Sequence, residues 1–303
     1  MKAVVILYNS QISDSITLKS LAFFAPEISN LGLKEIVIWN NGSHSLSLSA
    51  SCYQILATLH SLGIAINLQE CLANAPLSHI YNRHTNSQDY GLIFDDDTAL
   101  TAEYIEDLGA FISSKTQIFI PTIYANKAIF YPYLNGQLAT AQQQKLFTGE
   151  VASITSGMCL SPSAIQSLQN KYAEVFDSRF NIYGVDTTFF LRTHKSGIRS
   201  YFIGGKVNHN LSRATENHAT IAQFRYEERL CDIVLQIRRY LSFKTIKYFN
   251  IFLSRYTLKR FLANLPLAIR VFVAGKHPRS SEQYIPKAIA LDPNKLEQEP
   301  SKI

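Results

Sequence analysis

Four short apolar runs recur through the first third of the chain, and each stops abruptly at small polar or acidic residues. Residues 3–8 (AVVILY) end at Asn9-Ser10, and residues 34–39 (KEIVIW) end at Asn40-Asn41-Gly42-Ser43. Residues 64–68 (IAINL) and 91–94 (GLIF) follow, the last running straight into Asp95, Asp96 and Asp97. Runs this short, apolar and β-branched fit strands buried on both faces. Stretches of helical character separate them at 15–31, 51–62 and 78–88, and Pro26 must kink or end the first. Strand and helix in alternation predict an α/β fold with a mostly parallel central sheet and flanking crossover helices. Such open sheets bind ligands beyond the carboxyl ends of their strands. Tyr8-Asn9, Asn40-Asn41 and the three aspartates all lie at those ends, so they are expected to converge.

Beyond Asp97 the pattern predicts a helix over 102–114 and a strand over 117–123 (QIFIPTI). Residues 124–150 are polar and Gln-rich and read as excursions around a site. ASITSGMCLSPSAI at 152–165 reads as a strand, a Ser-Gly turn and a helix opened by Pro162. Residues 181–197 are expected to form a loop and then a short helix ending at Gly197, ahead of SYFIGGKVNH at 200–209. The chain then divides into a domain at 1–215, an aromatic, basic helical extension at 216–279 and a flexible, proline-bearing tail at 280–303.

The 303 residues are 47% hydrophobic, enough for a sizeable core. Cys52, Cys71, Cys159 and Cys231 are scattered without a C-x-x-C pair, as in a reduced, cytoplasmic protein. The opening MKAVVILYNSQISDS lacks a small-residue cleavage site and reads as a first strand rather than a signal peptide. No uninterrupted apolar stretch approaches the length of about 18 residues that a spanning helix requires. Charge is uneven: the net charge is +6, but residues 216–279 alone carry 12 Lys or Arg against 4 Asp or Glu.

Three adjacent carboxylates at the end of a buried strand repel one another, and each is costly to bury without a partner. Three readings fit such a turn: solvation by water, a cap on a helix beginning near Thr98, or a hard divalent cation among the carboxylates that also holds phosphate oxygens.

The order of these features resembles the family 2 glycosyltransferases, inverting enzymes of the GT-A fold. The resemblance runs over residues 3–213 and rests on VVILYNS at 4–10, IVIWNNGS at 36–43, NAPLSHIYN at 74–82, IFDDDT at 93–98, SGMCLS at 156–161 and FDSRFNIYGVDTTFFLRTHKSG at 176–197. The last block is most similar to the rhamnosyltransferase-type members. The resemblance implies a Mg²⁺- or Mn²⁺-dependent transfer, with inversion, of a sugar from a nucleoside-diphosphate donor to a glycan or lipid-linked acceptor, as in bacterial cell-surface polysaccharide synthesis. It implies deoxythymidine-diphosphate rhamnose as donor. Tyr8, Asn9, Asn40, Asn41, Asn74, Asp95 and Asp96 would meet the donor, and Ser156, Gly157 and Met158 would line the acceptor side. Asp95, Asp97 and His209 would hold the metal, and Asp186 would be the general base. The residues themselves leave Asp186 open as a helix cap and His209 open as a structural or exposed histidine. Arg192 reads as an ion-pair partner within the carboxylate block. Two positions depart from the family: Asn40 stands where the second-strand turn usually has Asp, and Val185 where Glu commonly precedes the base.

The extension mixes cations with aromatics, a composition suited to an anionic membrane surface and to a peripheral position on the inner face of the cell membrane. A helical pair packed on the catalytic domain would show the same pattern. Nucleic acid is not an expected partner, since no recognisable binding motif accompanies the basic residues. Two other readings share some of these features: a nucleotidyltransferase, and a sugar-binding module without catalysis.

Overall fold

The computed structural model describes residues 1–140, 145–210 and 222–297. Strands β1 (Lys2–Leu7), β2 (Glu35–Asn40), β3 (Ala65–Glu70) and β4 (Gly91–Asp95) pair in parallel in the order β4-β1-β2-β3. Helices α1 (Ile16–Phe23), α2 (Ala25–Asn30), α3 (Ala50–His60) and α4 (Leu77–His84) connect them. The first two are the expected kinked helix, broken at Phe24, with Pro26 in the opening turn of the second piece, where no amide hydrogen is required. Within β1, Val4 and Ile6 face one layer while Ala3, Val5 and Leu7 face the other, all buried. Burial on both faces is why these strands lack polar alternation.

The chain winds outward from β1 to β3, then returns to β4 on the other side of β1. Strand order therefore reverses at β1 and β4, the place where open α/β sheets form a ligand crevice at the carboxyl ends. Register aligns those ends: Asp95 lies beside Ile6, Asn40 beside Leu7 and Glu70 beside Asn40.

The second half contributes β5 (Thr98–Leu100), α5 (Ala102–Ile112) and β6 (Ile118–Ala125). A run of short strands follows: β7 (Ala128–Tyr131), β8 (Tyr133–Leu134), β9 (Gln137–Leu138), β10 (Leu146–Thr148) and β11 (Val151–Ala152). Then come β12 (Met158–Leu160), α6 (Pro162–Tyr172), α7 (Val185–Lys195) and β13 (Ser200–His209). Strand β12 inserts antiparallel between β4 and β6, and β13 runs parallel to β6. In β13 the ladder to β6 slips by one residue between Ile203 and Lys206. Gly204 and Gly205 make this bulge possible. Gly205 has φ +66° and donates its amide to buried Asp107 at 2.8 Å, and a Cβ on Gly204 would lie 2.5 Å from the same carboxylate.

The basic extension forms α8 (Gln223–Arg239), α9 (Phe243–Tyr256), α10 (Leu258–Ala263) and α11 (Leu265–Ala274). Helix α8 is built into the main core, where Tyr226, Leu230, Val234 and Leu235 join Val185 and Phe189 of α7. Two buried polar networks tie it down. Asn181 donates to both oxygens of Glu228 at 3.1 and 2.9 Å, and Arg279 reaches the same carboxylate at 3.2 Å. Tyr240 donates to Asp177 at 2.6 Å, and Asp177 also pairs with Arg179 at 2.6 Å and Arg192 at 3.2 Å. Arg192 meets Glu174 as well, at 2.9 Å, so it serves the carboxylate block as expected.

The boundary placed between 215 and 216 lies outside the described residues. The segment from residue 280, expected as a flexible tail, runs along the sheet edge as far as 297. Within it β14 (Lys287–Ala288) pairs antiparallel with β3, satisfying backbone groups that an open edge would leave exposed.

Asp177 is fully buried. Burial would push its carboxyl up, but Arg179, Arg192 and Tyr240 outweigh that and hold it below the ordinary range. Replacing Asp177 by Ala leaves buried Arg192 with the Glu174 carboxylate and the Tyr240 hydroxyl and should cost about 3–5 kcal/mol, read as a lower urea midpoint. Because the folded-state pKa is depressed, the wild-type contribution is present above the unfolded-state value. It is lost as pH falls through the folded-state value.

Candidate active site

Asp95 is the last residue of β4, and Asp96 and Asp97 make the turn into β5. This segment is held by its backbone. The Thr17 hydroxyl on α1 donates to the Asp95 carbonyl and accepts from the Thr98 amide at 2.9 Å. Ser15, the N-cap of α1, donates to the Asp96 carbonyl at 3.0 Å. The Ser156 hydroxyl accepts the Asp95 amide at 2.9 Å and lies 2.7 Å from Thr98 Oγ1. None of these bonds uses a carboxylate. Thr98 begins a strand, and the next helix is capped by Thr101, so the run caps no helix.

His209 closes β13 directly opposite Thr98. Its Nδ1 lies 2.8 Å from Thr98 Oγ1 and 3.1 Å from Asp97 Oδ1, and its Nε2 lies 3.9 Å from Asp95 Oδ2. One ligand atom from each of Asp95, Asp97 and His209 falls within 4.8 Å of the others. Asp97 Oδ1 is buried and makes no hydrogen bond.

The electrostatics follow from this crowding. Enclosure first, then the charges of Asp97, Asp186 and Asp96, push the Asp95 carboxyl well above the usual range. Asp96 and Asp97 are also raised by enclosure, opposed by the Ser10 hydroxyl at Asp96 and by His209 at Asp97. Burial lowers His209 despite the pull of Asp97. Carboxyls raised chiefly by enclosure, an Asp97 oxygen whose near neighbour is the His209 ring, and an imidazole kept neutral by burial make a donor set that fits a divalent cation. Thr98 would then hold the His209 ring in place from behind.

Asp186 sits in the first turn of α7. The N-cap of that helix is Gly184, whose φ of +79° and close approach to Asp232 exclude a Cβ. Burial chiefly, with contributions from Asp95 and Asp186, pushes the hydroxyl of Tyr81 up. The charge of Asp186 acts on both Asp95 and Tyr81. Val185, beside it, is buried in the core.

The expected donor residues separate into two groups. Tyr8 and Asn9 are exposed at the end of β1, and Asn9 (φ +56°) accepts from the Ser43 amide at 3.1 Å. A Cβ at Gly42 would lie 2.5 Å from the Asn9 nitrogen, so these two turns touch only because residue 42 is glycine. Asn40 and Asn41 are buried, their amides committed to the fold. Asn40 donates to Glu70 at 2.8 Å and accepts from Gly42, and Asn41 donates to Asn74 at 3.1 Å and to the Ala75 carbonyl at 2.9 Å. They build the crevice wall. Ser156, Gly157 and Met158, expected on the acceptor side, are buried behind the acidic turn and support it. Ser15, Thr17, Thr98 and Glu70 were not singled out from the sequence. Ser15 alone had a local signal, as a helix cap, and its bond to Asp96 spans 81 positions.

No family model and no curated protein matches the chain. Solved structures do. S. aureus TarS 1-349 in complex with UDP-GlcNAc matches with a TM-score of 0.51 at 15% identity, covering 92% of this chain and 83% of that one. S. aureus TarS matches with a TM-score of 0.49 at 16% identity, covering 92% of this chain and 50% of that one. This chain therefore spans half the length of that protein. At such identity the likeness concerns the fold, which is GT-A.

Asp97→Asn removes one of the repelling charges as well as a cation donor. Without metal the variant should melt at or above the wild-type temperature, and divalent ions should raise the wild-type melting point only. Because the folded-state pKa of Asp95 exceeds its unfolded value, the folded chain binds more protons between the two values. The metal-free wild type should therefore gain stability as pH falls through that window, while the divalent-ion effect disappears. Differential scanning fluorimetry across pH checks each part.

Proposed function

We propose that this chain is an inverting glycosyltransferase that uses a nucleoside-diphosphate sugar and a divalent cation. The observation that carries the reading is the convergence of Asp95, Asp97 and His209 at the β1/β4 reversal, with the charge of Asp186, on another element, acting on Asp95. A protein of the same fold binds UDP-GlcNAc, which supports a nucleotide-sugar donor. A cation held by Asp95, Asp97 and His209 would offset the charge of the diphosphate leaving group. The His ligand favours Mn²⁺ over Mg²⁺.

Asp186 takes the proton of an acceptor hydroxyl as that oxygen bonds to the anomeric carbon. The bond from that carbon to the diphosphate oxygen breaks from the opposite face, its electron pair leaving with the diphosphate, and configuration inverts. Asn9 and Tyr8 border the donor side, and the buried Asn40–Glu70 pair shapes the wall near the base without a free carboxylate. The acceptor in this reading is a glycan or a lipid-linked glycan, and rhamnose is the sugar the last motif block favours. A nucleotidyltransferase needs a basic, glycine-rich loop after β1, and residues 8–15 contain no Lys, Arg or Gly. A sugar-binding module has no need of carboxylates on both sides of the crevice.

A panel of nucleotide sugars, screened for thermal stabilisation and for turnover with and without Mn²⁺, should single out one donor that acts only with metal. Absence of both effects across the panel overturns the reading. Asp186→Asn should lower kcat by about 10²–10⁴-fold with donor affinity almost unchanged, since a general base acts in the transition state. Turnover within a few-fold of wild type would place the base elsewhere.

A further inference from the structure

Helices α9, α10 and α11 form a layer over α8. Helix α9 turns Thr245, Phe249, Phe252 and Tyr256 inward, and α11 turns Ala268 and Val271 inward. Their other faces are open. Of 21 exposed large apolar side chains among the described residues, 11 lie between Leu241 and Val273. Phe243 is 85% exposed, Val273 74% and Leu241 68%. A surface this apolar marks a contact site rather than a solvated face.

Its charge identifies the partner. Residues 241–276 carry seven Lys or Arg and no Asp or Glu. Lys244 pairs with Glu150, and Arg260 lies over the ring of Tyr226. Lys247, Arg255, Lys259 and Arg270 are exposed and find no carboxylate within ion-pair distance among the described residues. Cations alternating with apolar side chains across three short helices form a layer rather than a groove for a peptide. They match a plane in which phosphates lie just above acyl chains, where long basic side chains reach up while apolar ones enter.

We propose that α9–α11 are a docking surface for an anionic phospholipid bilayer, with Leu241, Phe243, Leu262, Ile269 and Val273 entering the acyl boundary. The chain lies on the membrane through this face, since no helix among the described residues is long and apolar enough to cross it. The proposal rests on exposure and charge and is independent of the transfer reaction. It has a geometric consequence for the crevice. Helix α8 lies between this layer and the start of α7, with Asp232 against Gly184 and Arg229 stacked on Tyr183. The Asp186 side of the crevice is therefore the side nearer the lipid.

Sedimentation of the full chain with phosphatidylcholine vesicles, with and without phosphatidylglycerol and at low and high salt, tests the surface. Binding should require phosphatidylglycerol and weaken with salt. Changing Lys247, Arg255, Lys259 and Arg270 together to Gln should weaken it by about 10²–10³-fold, with an unchanged melting temperature. Should that variant fold poorly, Phe243→Ser with Val273→Ser provides a second test and should weaken binding about tenfold or more. Equal binding to neutral vesicles, no binding at low salt, or full binding by either variant overturns the proposal. So does concentration-dependent self-association without vesicle binding, which would assign the face to a second copy of the chain.

Discussion

Carboxylates on three consecutive residues repel one another, so a fold that gathers them at one strand end must grip that segment by something other than its side chains. Here the grip is on the main chain. Ser15, Thr17 and Ser156 bond to carbonyls and amides of residues 95, 96 and 98 and take up none of the three carboxylates. Burial raises all three carboxyls, and Asp97 Oδ1 has the His209 ring nitrogen 3.1 Å away. The crevice is thus pre-organised for positive charge, with the energy for holding it supplied by the surrounding core.

The opposite wall is secured by the C-terminal helices. Glu228 on α8 accepts from Asn181, whose carbonyl in turn receives the Leu77 amide at 2.9 Å. Arg279 links that carboxylate to the Asn74 carbonyl. One buried acid thereby joins the segment before α4, the loop before α7 and the end of the extension. The extension consequently belongs to the architecture of the site as much as to its outer surface.

Much of this was legible in the sequence because β1 to β4 are buried on both faces and end in abrupt polar punctuation. Chain order alone placed Asn9, Asn40 and Asp95 on one edge. The antiparallel β12 and the strands between 128 and 152 were not legible, since segments of two to four residues are too short to show a period. Asn40 and Asn41 look like ligand contacts in one dimension because turn asparagines commonly face solvent. Their burial follows from Glu70 and Asn74, which arrive from 30 and 33 positions away. Gly157-Met158 illustrates the same limit: whether a Ser-Gly-Met stretch lines a cleft or backs it depends on which strands flank it.

The slip at Gly204-Gly205 carries a further consequence for His209. Side chains on a strand alternate between faces, so one extra residue inverts the facing of everything that follows it. Before the slip, Phe202 of β13 packs in one core layer and Ile203 in the other; after it, Val207 rejoins the layer of Phe202. Had these same residues paired without a bulge, each place beyond the slip would pass to the preceding residue: Asn208 would stand opposite Thr98, and His209 would lie one place further on. The identity of the nitrogen donor is therefore a matter of parity, set at two glycines several positions upstream. Straightening the ladder with both glycines kept would exchange that donor for an amide, whereas losing one of the two codons would straighten it and leave His209 in place.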